Sequence, residues 1–407
     1  MRTSRRGFVA SASASAALLA AGVAHGRKGK YDEGASDTEI KIGNICAYSG
    51  PASAYGALGR GYDAYWKMVN DRGGINGRKI RFISLDDGYS PPKTVEAARQ
   101  LVEQDKVLLL FAPLGTACNT AIQKYMNAKR VPQLFVATGA SKWGKPKAFP
   151  WTMGWTPDYH TEAVIYASHI LSTVKDARIA VLMQNDDYGK DYYEGFREGL
   201  HTEVGRIVKH VAYEVTDPTV DSQVIQLSGS DANVFFNIAS PKAAAQAIRK
   251  VADIGWKPVH YLNNVSTSVA AVIKPAGYAN SQGILSAFYR KDPTDQRFAN
   301  DDDVKVWRAW METYVPGGNL ADFNFVTAYS MTYTLHKVLE SCGDDLTRAN
   351  VMKQAASLRN FEVPMLLPGI QINTSPTDFY PIQAIQMVRF KGESWEVFGG
   401  VLSNEST

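Results

Sequence analysis

Residues 38–87 read TEIKIGNICAYSGPASAYGALGRGYDAYWKMVNDRGGINGRKIRFISLDD, and the fold turns on how this stretch is read. Residues 40–46 form a short, β-rich apolar run, residues 63–69 repeat apolar side chains at helical spacing, and residues 79–85 return to the first pattern. Between the helical and second β-rich parts, Arg72-Gly73-Gly74-Ile75-Asn76-Gly77 supplies a helix stop and a turn. Strand, helix and strand in this order predict a βαβ unit, whose parallel strands need covering on both faces.

The alternation runs on. Pro91-Pro92 opens a helix over 92–103 from its first turn, and a strand over 107–111, a helix over 120–128 and the strand Gln133–Val136 follow. Beyond the aromatic, proline-rich residues 149–157 a second series begins with a helix over 160–174. Strands at 177–183, 208–213, 233–237 and Val259–Leu262 then alternate with helices at 191–204, 220–228 and 242–254. A strand at 283–289, helices at 303–314, 324–340 and 346–358, and a β pair at 383–390 and 395–401 complete the chain. The fold class expected is α/β, with two Rossmann-like lobes. Lobe one takes 38–154 plus 287–360 and lobe two takes 155–286 plus 361–402, so the backbone crosses between lobes more than once and forms a hinge.

A chain of 407 residues has the length of two or three domains. With 45% hydrophobic and 21% charged residues it can bury a core, and 33 glycines and 18 prolines are too few for a collagen-like or low-complexity chain. Lys and Arg number 44 against 40 Asp and Glu, a formal charge of +4. Without Arg2, Arg5 and Arg6, which lie in a segment read below as removed, the chain is nearly neutral. No nucleic-acid partner is expected, since affinity for phosphate backbones comes from concentrated Lys and Arg.

The first residues, MRTSRRGFVASASASAALLAAGVA, carry a basic start, an apolar and small-residue stretch, and small residues at Gly22 and Ala24. They predict an export signal over 1–26. The paired arginines of Ser4-Arg5-Arg6-Gly7-Phe8, followed by a stretch diluted by Ser11, Ser13 and Ser15, resemble a twin-arginine signal. Leu18 and Leu19 are the only leucines in the stretch, too few for a spanning anchor. Residues 27–37 read as a flexible lead-in, with order starting near Thr38. Cys46, Cys118 and Cys342 are odd in number and far apart, which fits neither a disulfide framework nor paired metal ligands; one bridge can form and none is required.

In an open parallel sheet, ligands meet the loops beyond the strand C-terminal ends, where helix N-termini present unpaired N–H groups. Four such loops stand out: Tyr48-Ser49-Gly50-Pro51 through Tyr55, Pro113-Leu114-Gly115-Thr116-Ala117, Thr138-Gly139-Ala140-Ser141, and Asn185-Asp186-Asp187-Tyr188-Gly189. Each alone also reads as an ordinary cap or turn, but their recurrence on one rim favours binding. Their glycines admit a close ligand and their hydroxyls donate hydrogen bonds, which suits a carboxylate. With only Lys142 as a nearby cation, the anion is expected to rest on backbone donors and hydroxyls rather than an arginine fork.

Other motifs fail. Gly139 to Lys145 keeps phosphate-loop spacing until Pro146 stands where a Ser or Thr is required, and Gly56-Ala57-Leu58-Gly59-Arg60-Gly61 reads as helix packing rather than a dinucleotide fingerprint. The histidines form no His-x-x-x-His pair, and no Gly-x-Ser-x-Gly elbow or Cys-His pairing occurs. No catalytic residue, metal or cofactor is expected, and the paired acids Asp86-Asp87 and Asp186-Asp187 are expected to cap helices.

Taken together, Ile40-Lys41-Ile42-Gly43, Ser49-Gly50-Pro51, Tyr55-Gly56, Asn70-Asp71-Arg72-Gly73-Gly74-Ile75-Asn76-Gly77-Arg78, Asp86-Asp87 with Pro91, and Asp187-Tyr188-Gly189 resemble the branched-chain amino acid type of periplasmic solute-binding protein that serves ABC importers. The likeness covers most of the chain after Thr38. It implies two lobes joined by three crossovers, a ligand in the cleft, a periplasmic monomer, and membrane permease subunits as partners. By motif, Tyr55 would line the pocket, Leu114, Gly115 and Thr116 would match the loop that holds the ligand carboxylate, and Thr138, Gly139, Ala140 and Ser141 its companion. Tyr188 would close over the ligand. Amino-acid-binding members carry an acidic residue after the Val259–Leu262 strand to pair with the ligand ammonium, whereas this sequence has Asn263 and Asn264 there. A buried ammonium without that partner loses several kcal/mol, unless Asp186 or Asp221 substitutes.

The ligand expected is therefore a small carboxylate, either an amino acid or an aromatic or other organic acid. Tyr48, Trp143, Trp151, Trp155, Tyr188, Phe236, Tyr261, Phe323 and Phe325 lie in or near rim segments; most belong to the core, and the remainder can stack on a planar ligand. Two other readings stay open here: an exported enzyme using Asp186, Asp187 or His160 in the same cleft, and a binding module that reports to a signalling partner.

Overall fold

The computed structural model describes residues 29–403, so the signal read at 1–26 lies outside the described residues. The chain opens with β1 (Lys30–Tyr31), β2 (Glu39–Cys46), α1 (Gly56–Asp71), β3 (Lys79–Asp86), α2 (Pro91–Arg99), β4 (Leu109–Phe111), α3 (Thr116–Lys129), β5 (Gln133–Val136) and β6 (Thr152–Gly154). It continues with α4 (Tyr159–Thr173), β7 (Ile179–Gln184), α5 (Asp187–Gly199), β8 (Ile207–Tyr213), α6 (Asp221–Ser228), β9 (Val234–Ile238), α7 (Pro241–Asp253), β10 (Val259–Leu262), α8 (Lys274–Ala276) and β11 (Leu285–Phe288). Last come α9 (Asp302–Tyr314), α10 (Phe323–Cys342), β12 (Asp345–Leu346), α11 (Arg348–Ala355), β13 (Ala384–Lys391) and β14 (Ser394–Ser403).

Two sheets result. Strands β3, β2, β4, β5 and β6 lie side by side in that order, all parallel. Strands β8, β7, β9, β10 and β11 repeat the arrangement in parallel, and β13 and β14 extend that sheet antiparallel beyond β11. In each parallel series the chain leaves its first strand toward one edge and then returns to build the other side. A crevice therefore opens between β2 and β4 in one sheet and between β7 and β9 in the other, the place where such sheets bind ligands.

Burial explains the sequence pattern. Strands β4, β5, β7 and β9 are buried at every residue, so apart from Gln133, Gln184 and Asn237 they read as apolar runs rather than alternations. Asp158, Asp186 and Asp322 accept backbone N–H bonds at the starts of α4, α5 and α10, each worth about 1 kcal/mol. Of the paired acids, Asp186 thus caps a helix as expected. Asp86 does something else: it accepts the N–H groups of Tyr48, Ser49 and Gly88 and ties the loop after β2 to the end of β3.

Helix α1 starts seven residues before the helical spacing at 63–69. Its glycines weaken the local signal by roughly 1 kcal/mol each, but packing outweighs that: a β-carbon on Gly61 would sit 2.5 Å from that of Ala328. Gly61 therefore does serve helix packing, against α10, while Gly56 and Gly59 lie against Tyr48. The lead-in at 27–37 is corrected in the same way. Lys30 and Tyr31 pair in parallel with Asp345 and Leu346, Arg78 donates to the Tyr31 hydroxyl at 2.8 Å, and the Arg348 N–H meets Asp32 at 2.8 Å. Its polar residues find partners some 300 positions away, which no local reading detects.

The chain passes between the sheets through 155–158, after β11, and before β13. At the second passage residues 289–291 run antiparallel to 365–367: the Lys291 N–H meets the Met365 carbonyl at 2.8 Å, the Leu367 N–H meets that of Tyr289 at 2.9 Å, and Arg290 bridges Leu366. The expected boundary at 287 moves to the end of β11, because Ala287 and Phe288 pair with Met387 and Gln386 inside the second sheet. Residues just past 361 still hold to the first unit, with the Thr374 hydroxyl donating to Ala355 and accepting from the Leu358 N–H. Cys46, Cys118 and Cys342 are buried free thiols.

Candidate functional site

The loops at the two crevices face each other across a cavity of about 640 Å³, its open mouth included. The loop after β2 brings Tyr55, the loop after β3 brings Tyr89, the loop after β4 brings Leu114, Gly115 and Thr116, and the loop after β5 brings Thr138. The opposing sheet contributes Gln184 and Tyr188 after β7, Ser240 after β9, Asn264 and Val265 after β10, and Tyr289 and Arg290 after β11. Every one of these segments leaves the C-terminal end of a strand. Helix α10 supplies the floor with Phe323, Asn324, Thr327 and Met331.

On the first sheet's side, Gly115 has φ of +90°, and a β-carbon there would meet the Tyr89 ring at 2.5 Å, so only glycine fits. The turn it makes lets α3 begin at Thr116, four residues earlier than the helical spacing indicates. The Thr116 N–H is consequently one of the donors a helix start leaves without an intrahelical partner. The Thr116 and Thr138 hydroxyls lie 2.5 Å apart and share a hydrogen bond. Across the cleft the Tyr55 hydroxyl donates to the Val265 carbonyl at 3.3 Å. Burial pushes the phenols of Tyr55, Tyr89 and Tyr188 well above their ordinary pKa, so all three stay neutral donors.

The charge inventory is simple. Among the described residues no Asp or Glu lines the cavity, and Arg290 is its one charged lining residue. Arg290 is 2% exposed. Its guanidinium carbon lies 3.8 Å from the centre of the Phe323 ring and 4.6 Å from that of Tyr289. It forms no ion pair with a carboxylate of the described residues, and its Nε–H has no hydrogen-bond partner. Burial lowers its pKa, against the favourable pull of Asp292 and Glu162. The Thr156 and Tyr188 hydroxyls, also in the cavity wall, are likewise buried without partners.

Asn264 occupies the place where an acidic residue would pair with a ligand ammonium, and a carboxylate stands behind it. Its N–H meets Glu162 Oε1 at 2.9 Å, its side-chain amide donates to Oε2, and the Tyr192 hydroxyl donates to Oε2 at 2.9 Å. Glu162 is fully buried and does not line the cavity; burial raises its pKa to about 7. Neither suggested substitute reaches the ligand space. Asp186 is engaged by Gln184 and by the Tyr188 and Gly189 N–H groups, and Asp221 pairs with Lys250 at 2.6 Å.

Of the residues read from sequence, Tyr55, Leu114, Gly115, Thr116, Thr138, Tyr188 and Asn264 line the cavity, and Gly139, Ala140, Ser141 and Asn263 do not. Gly139 gives its carbonyl to the Tyr159 N–H. The buried Ala140 gives its carbonyl to the Trp143 N–H. Ser141 bonds Asp191 through N–H and hydroxyl at 2.9 and 2.6 Å. Asn263 spans the Asn237 and Ala239 carbonyls. The cation expected near the site is corrected as well: Lys142 is held outside the cavity by Asp187 at 2.6 Å and Thr120 at 2.7 Å, while Arg290 was passed over. Of the nine rings singled out, Tyr188 and Phe323 line the cavity; Tyr89, Tyr159 and Tyr289 do so unforeseen. A signal for Arg290 did exist, an arginine placed directly where a buried strand ends at a lobe crossing.

Two facing doubly wound sheets with a cavity between them define a protein built to hold a ligand in a cleft. Residues 39–394 match the family described as periplasmic binding protein, and the chain belongs to it. It is 26% identical over 282 residues to Leu/Ile/Val-binding protein homolog 1 of Brucella abortus, spanning 68% of this chain and 73% of that one. It is 25% identical over 324 residues to the leucine-specific-binding protein of Salmonella typhimurium, spanning 77% and 86%. In fold it matches a branched chain amino acid ABC transporter from Thermus thermophilus with bound valine, with TM-score 0.81, 15% identity, and 90% and 97% of the two chains covered. It also matches a fatty acid ABC transporter substrate-binding protein from Thermomonospora curvata, with TM-score 0.78, 18% identity, and 93% and 95% covered. The fold is thus the type I periplasmic binding fold, the protein is a binding protein rather than an enzyme, and the family places it in the periplasm. Among the described residues no helix is long and apolar enough to cross a membrane.

Proposed function

We propose that the chain is the substrate-binding receptor of an ABC importer, and that it captures one small organic acid without an ammonium group, aromatic or otherwise apolar in body. The observation that carries this reading is the charge of the cavity wall: one buried guanidinium and no carboxylate. An α-amino acid would bring an ammonium into a space with no anion to receive it, at a cost of several kcal/mol. An acid lacking the amine brings only the charge the wall can receive. Tyrosine rings and Phe323 supply the apolar surface. The relatives' names span leucine, valine and a fatty acid, a range that includes acids without an amine.

The mechanism follows from the two-sided site. In the open form the ligand touches one lobe; in the closed form it touches both, and that difference in contact is the free energy that closes the cleft. The lobes at 38–154 with 289–376 and at 155–288 with 377–402 move as the two bodies. The closed monomer then docks on the permease, having reached the periplasm by a twin-arginine signal removed on export. Calorimetry against paired panels tests the reading: amine-free carboxylates such as benzoate, phenylacetate and hexanoate against leucine, valine and phenylalanine. Acids should bind and the amino acids should bind at least tenfold more weakly; the reverse order sinks it. Thr116→Ala should weaken binding of the best acid by no more than about tenfold and lower the melting temperature slightly, because the Thr116 hydroxyl shares a buried hydrogen bond with that of Thr138.

A further inference from the structure

We infer that Arg290 is the anchor for the ligand's carboxylate and therefore the residue that sets anion specificity, placing the ligand's charged end at the lobe crossing rather than on the glycine-hydroxyl loop of the first lobe. The inference rests on the receptor reading above and deepens it.

A guanidinium removed from water needs acceptors for its N–H fork, and arginines buried for structural reasons find carboxylates or carbonyls. Arg290 has Phe323 and Tyr289 rings close to its guanidinium carbon, which favour its charge and limit its plane. The Tyr289 hydroxyl also favours its charge by hydrogen bonding, but it is a single neutral acceptor, and the Nε–H is left without one. The two acids that favour its charge are committed elsewhere. Asp292 accepts the Thr294 N–H and hydroxyl, both at 2.8 Å, and the Trp395 N–H at 3.4 Å. Glu162 is held by Tyr192 and Asn264. The cavity that Arg290 lines contributes no carboxylate. A planar carboxylate entering the cavity matches the fork geometrically and supplies the missing charge. By contrast, the Thr116 and Thr138 hydroxyls already bond each other, so that loop is the less needy partner.

Matched acid and amide pairs separate this from a merely structural arginine. Benzoate with benzamide, phenylacetate with phenylacetamide, and hexanoate with hexanamide have the same shape and differ in charge. Calorimetry on the wild-type protein should give at least a hundredfold preference for the best acid over its amide. In Arg290→Gln that ratio should fall to within about threefold, while Arg290→Lys should keep the preference and lose about tenfold in acid affinity, the fork being gone but the charge retained. The unliganded Arg290→Met protein should melt at or above the wild-type temperature, because an uncompensated buried charge has been removed. An undiminished acid-to-amide ratio in Arg290→Gln, or undiminished acid affinity in Arg290→Lys should the Gln variant not fold, overturns the anchor and leaves the receptor reading standing. Wild-type protein that binds no acid of the panel overturns both.

Discussion

The cavity and its rim handle charge in opposite ways. At the rim, α5 reaches across to the first sheet's loops with every charge answered: Asp187 takes Lys142 and the Thr120 hydroxyl, and Asp191 takes the N–H and hydroxyl of Ser141. A few ångströms further in, Arg290, Tyr188 and Thr156 are buried with polar atoms unanswered. Rim groups hold the two halves in register in the closed form. The interior groups are costly until something arrives, and that difference marks which part of the cleft recognises and which part merely latches.

Glu162 offers the largest test of this contrast, since it is an interior charge that is answered by the protein itself. Its pKa stands near 7 against an ordinary 4.5, so between those two values the folded protein holds a proton that the unfolded chain has released. Stability is then lost as pH rises through that window, on the order of 3 kcal/mol in all. Denaturant titrations at pH 5 and pH 8 should show this slope in the wild type and its disappearance in Glu162→Gln. A variant as pH-sensitive as its parent would remove Glu162 from the account.

Next in size is Tyr188→Phe. Because the hydroxyl has no partner in the unliganded protein, its loss should leave the melting temperature unchanged or slightly raised, yet weaken acid binding about tenfold if the hydroxyl serves the ligand. Lowered stability with unchanged affinity would place Tyr188 on the latching side of the comparison instead. The smallest effect belongs to Lys142→Met. The pair is partly exposed, with side chains 31% and 42% accessible, so screening holds its worth to about 0–1 kcal/mol. Affinity should fall no more than about fivefold, and the loss should shrink at high salt. A hundredfold loss would show that the rim, too, recognises ligand.

Much of this architecture was legible because parallel strands buried on both faces can only be apolar runs: β4, β5, β7 and β9 announce themselves, and loops at their ends follow by topology. The starts of α1 and α3 were not legible. Gly56, Gly59 and Gly61 lower the helix propensity where α1 starts, and Thr116 joins α3 because Gly115 adopts a left-handed turn. In the site, residues on strand-end loops were found from sequence, whereas Gly139, Ala140, Ser141 and Asn263 fell one layer outside, turned toward neighbouring carbonyls, amides and Asp191. Arg290 was missed for a physical reason. It stands one position past the strand read at 283–289, and pairing with residues 365–367, far along the chain, is what buries it.

That pairing governs how the crossing can move. Two antiparallel stretches held by cross-strand amide bonds flex but resist stretching, so a group mounted on them travels least when the halves swing. A guest tethered there by its negative end is sorted by ionic sign while the jaws are still apart, and its size and outline are judged afterwards, when the tyrosines come together around the other end.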